Sequence, residues 1–166
     1  MPSECTTQSA NITGGCQCGA IRYALSAAPE GSVCHCRMCQ KATGGLFAAL
    51  ASVKIADLRW TRGQPATFRS SSIAARDFCR DCGTPLAFRF INSDTIELTI
   101  GSLDEPAAAA PRKNFGVESR LPWIADLVAG RLADVITGTN WPAGRVVISH
   151  QHPDHDTPGS WSPHSA

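Results

Sequence analysis

Of the 8 cysteines in this 166-residue chain, seven stand in three tight groups: Cys16 and Cys18; Cys34, Cys36 and Cys39; Cys79 and Cys82. A thiolate is both a nucleophile and a soft metal ligand, so spacing decides which chemistry is open to it. Residues two apart in an extended strand face the same way about 6.6 Å apart, and a C-x-C pair can therefore aim both sulfurs at one metal. Cys79-Arg80-Asp81-Cys82-Gly83 can close into a knuckle whose glycine takes a positive φ without steric cost. Both arrangements suit thiolates around zinc.

Zinc takes four protein ligands in a closed structural site and commonly three in a catalytic one, which leaves a position for water or substrate. Cys34-His35-Cys36-Arg37-Met38-Cys39 supplies three ligands from one short stretch. The pairs Cys16/Cys18 and Cys79/Cys82 are each incomplete. Joined, they make a four-cysteine site that fastens the start of the domain to its middle. Structural zinc sites have apparent binding energies of ~10–16 kcal/mol, much of it coupled to folding. The three-sulfur group reads equally well as an open catalytic site or as a second structural zinc completed by another ligand. His35 lies between two ligands, so its ring is expected on the opposite face as a hydrogen-bonding core residue. Arg22, Arg37 and Lys41 are the cations placed to meet thiolate or substrate charge. Cys5 stands alone and reads as incidental.

The elements that must hold these groups are mostly strands. Ile21-Tyr23-Leu25, Leu86-Phe88-Phe90 and Ile96-Leu98-Ile100 alternate with less apolar residues, the signature of half-buried strands. Asn92-Ser93-Asp94 joins the last two as a hairpin. Further strands are expected over 33–36, 47–52, 59–61, 66–70, 73–78 and 146–149, with short helices after Cys36 and over 124–129. Residues 102–116 read as an irregular segment crossing the surface. The expected organisation is a loose lead-in over 1–11, a zinc domain over 12–138, and a final strand with a flexible His/Pro-rich tail over 139–166. In that tail, His150-Gln151-His152-Pro153-Asp154-His155 spells a metal-hydrolase-like H-x-H-x-D-H run, but its prolines and position suit a solvated end.

Composition narrows the class. Fifteen Lys+Arg against 14 Asp+Glu leave a net charge of +1 without basic blocks, which argues against binding nucleic acid through its phosphates. No run of 18 apolar residues is present, so no membrane span is expected. Met1-Pro2-Ser3-Glu4-Cys5-Thr6 has neither the basic nor the apolar region of a secretory signal, so the reducing cytoplasm is the expected compartment. A chain of this length can bury roughly 70% of its unfolded surface, so cysteine cross-links are not obligatory on grounds of size.

Three segments together resemble the glutathione-dependent formaldehyde-activating enzyme family, which also includes centromere protein V: Gly14-Gly15-Cys16-Gln17-Cys18-Gly19, Cys34-His35-Cys36-Arg37-Met38-Cys39-Gln40-Lys41-Ala42-Thr43-Gly44 and Phe78-Cys79-Arg80-Asp81-Cys82-Gly83-Thr84-Pro85. Ile100-Gly101-Ser102-Leu103-Asp104 and Glu118-Ser119-Arg120-Leu121-Pro122-Trp123 extend the likeness. The resemblance implies a mainly β, zinc-stabilised β-tent of coiled antiparallel sheets with short helices, similar to methionine-R-sulfoxide reductases. It implies two zincs per chain, a structural one on Cys16, Cys18, Cys79 and Cys82 and a second, at the active site, on Cys34, Cys36 and Cys39. It further implies a carbon–sulfur lyase whose partners are a small thiol such as glutathione and an aldehyde. The alternatives are a non-catalytic thiol carrier or protein-binding module, and a coloured iron–sulfur electron carrier. Family members often carry a histidine and bulky apolar residues before the Glu-Ser-Arg segment, where this chain reads Asn114-Phe115-Gly116-Val117.

Overall fold

The computed structural model describes residues 12–132 and 149–162. Ten strands run in chain order: β1 (Ile12–Gly15), β2 (Arg22–Leu25), β3 (Glu30–Cys34), β4 (Ala48–Lys54), β5 (Leu58–Arg62), β6 (Ala66–Arg69), β7 (Ala74–Phe78), β8 (Pro85–Phe90), β9 (Thr95–Thr99) and β10 (Pro111–Phe115). Two short helices, α1 (Arg37–Thr43) and α2 (Ile124–Val128), and a few single 3-10 turns complete the described chain. The fold is mainly β, as the alternating pattern implies. β1, β2 and β5 form a three-stranded sheet; β10, β3, β4, β9, β8, β7 and β6 form a seven-stranded one in that order.

The seven-stranded sheet has two unlike faces because side chains alternate along each strand. Ala51 and Val53 of β4, Ile96 and Leu98 of β9 and Ala87 of β8 share the main core with Tyr23 and Leu25 of β2. Tyr23 is fully buried, donates or accepts a hydrogen bond with Ser102 Oγ at 2.8 Å and meets Trp60 edge-on at 5.7 Å. The other face carries Ala48 and Leu50 of β4, which pack with Cys39 beside Cys34 and Cys36. On that same face, ladder pairing sets Arg76 between Phe68 of β6 and Phe88 of β8, and Phe88 beside Glu97 of β9.

The β8–β9 hairpin forms where expected, with Asn92 at φ 66° in its turn. One expectation is corrected. The segment over 102–116 is not irregular throughout: Pro111–Phe115 is an edge strand, parallel to β3. Its five residues are all exposed, so no apolar alternation marks it, and a proline opening an edge strand costs no ladder bond. The first strand begins at Ile12, whose Ile-Thr-Gly-Gly sequence carries no pattern by which a strand is recognised. Of the expected strand over 146–149, residues 146–148 lie outside the described residues, as does Cys5.

Residues 149–162 also differ from the solvated tail expected of them. The His152 backbone N–H donates to the Gln17 carbonyl at 2.7 Å, and Arg22 reaches Asp156 at 2.8 Å. Arg62 donates to the carbonyls of Thr157 and Pro158 at 2.7 and 2.9 Å, and the His152 ring, 4% exposed, rests on Trp161 at 4.4 Å. Arg22 and Arg62, ladder partners on β2 and β5, need acceptors, and this segment supplies them. Composition alone carries no trace of such pairing.

Candidate functional site

Both sulfur groups form. Cys16, Cys18, Cys79 and Cys82 bring their sulfurs within 4.8 Å of one another, and so do Cys34, Cys36 and Cys39. The four-sulfur group is made by two similar turns. Cys16 ends the β1 side and closes its turn through Gly19 N–H to Cys16 C=O at 3.0 Å; Cys79 does the same through Gly83 N–H at 2.9 Å, with Gly83 at φ 76°. Cys16 and Cys18 sulfurs stand 3.5 Å apart, and Cys18 and Cys79 sulfurs 3.8 Å. Four sulfurs 2.3 Å from a tetrahedral zinc would stand about 3.8 Å apart, so the donor set and its spacing fit zinc.

The three-sulfur group is a strand end and a helix start. Cys34 ends β3; Cys36 caps α1, its Sγ accepting the Cys39 N–H at 3.4 Å; Cys39 is buried one turn in. The spacing of the C-x-C pairs suits a continuous strand. Instead each pair spans a strand end and the turn or helix that follows. Gln40 Nε2 ties this corner down, donating to the carbonyls of His35 at 2.7 Å and Ser119 at 3.1 Å. β10 closes the side: Phe115 is the ladder partner of Cys34, and its carbonyl accepts the His35 N–H at 2.8 Å. Gly116, at φ 61°, follows so closely that a Cβ there would lie 2.7 Å from Cys36 N.

His35 is buried and not in the sulfur group. Its Nε2 lies 3.2 Å from Asn114 Oδ1 and its ring meets Phe47 edge-on. The expected cations are elsewhere. Arg22 is 3% exposed and paired with Asp104 and Asp156; Arg37 donates to Gln40 Oε1 at 3.1 Å; Lys41 lines a neighbouring cavity. The cation that reaches the three sulfurs is Arg76, whose Nη2 donates to Cys39 Sγ at 3.5 Å while its guanidinium lies 4.9 Å over the Phe88 ring. Sequence reading passes over Arg76 because only the β7–β8 pairing and the approach of α1 bring it there. No local signal marks it.

Thiol acidity differs sharply within each group. Burial pushes Cys34 up to about 12, reinforced by the neighbouring thiols against the Cys36 backbone N–H. Burial also opposes ionisation of Cys36, yet hydrogen bonds from Cys39, Cys34 and the Met38 N–H bring it below its ordinary value. In the larger group burial raises Cys18 and Cys79, while in Cys82, half-buried, burial is outweighed by the Thr84 hydroxyl and nearby N–H groups, which bring it down to about 6. Cys36 and Cys82 are thus the more acidic thiols, while burial first and neighbouring thiols second oppose ionisation of Cys34, Cys18 and Cys79; a bound cation would offset both. Among the described residues no fourth His, Cys, Asp or Glu joins the three sulfurs.

Beside the three sulfurs is a cavity of about 360 Å³, walled by Met38, Leu50, Ile73, Phe88, Phe90 and Phe115. A second cavity, of about 540 Å³, shares Met38, Leu50, Ser70, Arg76 and Phe88 with it and adds Lys41, Thr43, Phe68 and Phe78. Among the described residues no helix is long and apolar enough to cross a membrane.

A mainly β domain with one four-thiol and one three-thiol group that could each hold a metal ion is the class that fold and site define. The family model described as glutathione-dependent formaldehyde-activating enzyme matches residues 11–119, and the chain belongs to that family. A Schizosaccharomyces pombe protein named an uncharacterized lyase is 34% identical over 80 residues, 48% of this chain and 58% of that protein. The chain thus spans little more than half the length of that curated relative. A solved Rhodobacter sphaeroides protein shares 24% identity, with a TM-score of 0.48 over 61% of this chain and 98% of that one.

Proposed function

We propose that Cys34, Cys36 and Cys39 hold a zinc with one open position, and that the protein joins a small thiol to an aldehyde, or releases them, as a carbon–sulfur lyase. Glutathione and formaldehyde are the pair that the family's description names. Cys16, Cys18, Cys79 and Cys82 are assigned to a closed structural zinc. The observation that carries this reading is the unequal pair of sulfur groups: the three-thiol group borders a cavity, and no fourth ligand joins it among the described residues.

In the forward direction the thiol sulfur forms a bond to the carbonyl carbon, the carbonyl π pair moves to oxygen, and the thiol proton ends there, giving a hydroxyalkyl thioether. The reverse breaks the same carbon–sulfur bond. A zinc held by Cys34, Cys36 and Cys39 would lower the pKa of an incoming thiol, so that thiolate would be present at neutral pH. The remaining work falls to the chain's own residues. Arg76 lies beside Cys39 and offsets negative charge there, with guanidinium N–H groups left for the carbonyl oxygen. Gln40, the Phe115 carbonyl and the close approach of Gly116 hold the Cys34–Cys39 corner in place. Phe88, Phe90 and Phe115 line the cavity beside the three sulfurs and would exclude water there once a ligand covers them.

Exchange NMR on glutathione and formaldehyde, with zinc-loaded protein present, tests this. Faster interconversion of free and adduct glutathione is expected, and it is lost in Cys36→Ser. Binding of glutathione with no acceleration for any thiol–aldehyde pair would overturn the enzyme reading in favour of a thiol carrier. Metal analysis should give two zincs for the wild type and one for folded Cys36→Ser.

A further inference from the structure

We infer that the carbonyl partner of this site is an aldehyde with an aromatic or branched apolar body, larger than formaldehyde; the inference rests on the thiol–aldehyde reading above. The two heavy atoms of formaldehyde take about the space of two waters, ~60 Å³. The cavity beside the three sulfurs is about 360 Å³. Its walls are apolar where a one-carbon substrate has nothing to touch.

Four of those wall residues are large, apolar and left open to solvent: Met38 at 64%, Ile73 at 63%, Phe90 at 54% and Phe115 at 53% exposed. They are not scattered. The backbone places them around one opening, with Phe115 laddered to Cys34, Phe90 laddered to Ala74 beside Ile73, and Met38 between Cys36 and Cys39. Phe88 and Phe90 meet edge-on at 5.0 Å, a ready aromatic floor. A ligand body covering these side chains gains roughly 25 cal/mol per Å² of apolar surface removed from water.

The same walls suit a peptidic thiol poorly. Their polar side chains are Ser32, Ser70, Ser71, Arg76 and Glu97, too few for two carboxylates, an ammonium and two amides. Each polar group buried without a partner costs roughly 1–3 kcal/mol. The adjoining cavity is also largely apolar, with Phe68, Phe78 and Phe88, but it adds Lys41, Thr43 and Asp77 as polar partners beside the shared Arg76. The aldehyde body is therefore assigned to the cavity that touches the three sulfurs, and the polar arm of the thiol to the direction of Lys41, past the shared residues Arg76 and Phe88.

The test uses the full chain loaded with zinc and two independent readouts. Rate enhancement over the spontaneous reaction is measured by exchange NMR with glutathione and either formaldehyde, 3-methylbutanal or phenylacetaldehyde. Binding is measured by ligand-observed NMR with 2-phenylethanol, which cannot form the adduct. The expected result is at least tenfold greater enhancement for phenylacetaldehyde than for formaldehyde, with saturable 2-phenylethanol binding. Phe90→Ala and Phe115→Ser, both more than half exposed in the fold, should lower that preference several-fold and weaken 2-phenylethanol binding. Enhancement of formaldehyde alone, without 2-phenylethanol binding, would overturn the inference while the adduct chemistry stands. Binding sensitive to both substitutions, with no aldehyde accelerated, would sink the adduct chemistry and support the apolar ligand class.

Discussion

Arg76→Gln should loosen the metal at the three-cysteine group and leave the four-cysteine group alone. Three thiolates around Zn²⁺ carry one net negative charge, and the Arg76 Nη2 lies 3.5 Å from the nearest sulfur, that of Cys39. Unit charges at that distance interact by ~5 kcal/mol at an effective dielectric of 20 and ~1 kcal/mol in bulk water. Arg76 is half-buried and also holds its place against the Phe88 ring, so the lower part of that range applies. A loss of about 1–2 kcal/mol corresponds to a five- to thirtyfold weaker affinity. Competition titration with a chromogenic chelator resolves the two metals. Only the weaker event should shift in Arg76→Gln, Arg76→Lys should recover most of the loss, and the gap should narrow at high salt. Wild-type affinity in Arg76→Gln at low salt would refute the charge argument. Equal weakening of both metals would show that the substitution acts through the fold.

Other outcomes follow from the same geometry. Gly116→Ala places a Cβ 2.7 Å from Cys36 N at φ 61°, so it should lower metal content at the three-cysteine group with little change in circular dichroism; full retention of both metals would contradict the close approach. Zinc uptake at that group should release protons at neutral pH, because Cys34 is held up at about 12 and must ionise to bind, so apparent affinity measured in weak buffer should rise from pH 6 to pH 8. Burial lowers the pKa of His152 below its ordinary 6.5, with the Pro153 carbonyl opposing and Arg22 adding. Its contribution is therefore present above pH 6.5 and lost as pH falls through the lowered value. Hydrogen exchange over 149–162, corrected for intrinsic rates, should be faster at pH 5 than at pH 7.5 relative to the core, and His152→Gln should remove that difference.

Residues whose role depends on local spacing were legible. The cysteine groups, the glycine after the second knuckle and the alternating strands β2, β8 and β9 all follow from intervals of two to five residues. Residues whose role depends on pairing across the sheets were not. Arg76 acquires its place from Phe68 and Phe88 on neighbouring strands and from α1, and Arg22, adjacent in sequence to the first cysteine turn, is drawn instead to Asp104 and Asp156. Charge near a ligand in sequence is thus a weak guide to charge near it in space. The edge strand β10 was hidden for a related reason: its pairing with β3 is made by backbone, and its exposed side chains carry no period.

The difference between the two sulfur groups has a mechanical side. Cys18 and Cys79 meet across 61 residues, whereas Cys34, Cys36 and Cys39 lie within a single strand–helix corner. Closing a loop about ten times longer costs roughly 2 kcal/mol more chain entropy, and a metal that holds it closed returns that to the folded state. The local group closes almost nothing. Removing its metal should therefore leave the melting temperature nearly unchanged, while Cys79→Ser should lower it steeply. On the proposed reading, that asymmetry would allow the three-thiol group to keep a ligand position open, because the domain would not depend on its being filled. Equal destabilisation by Cys39→Ser and Cys79→Ser would remove the basis for assigning structure to one group and chemistry to the other.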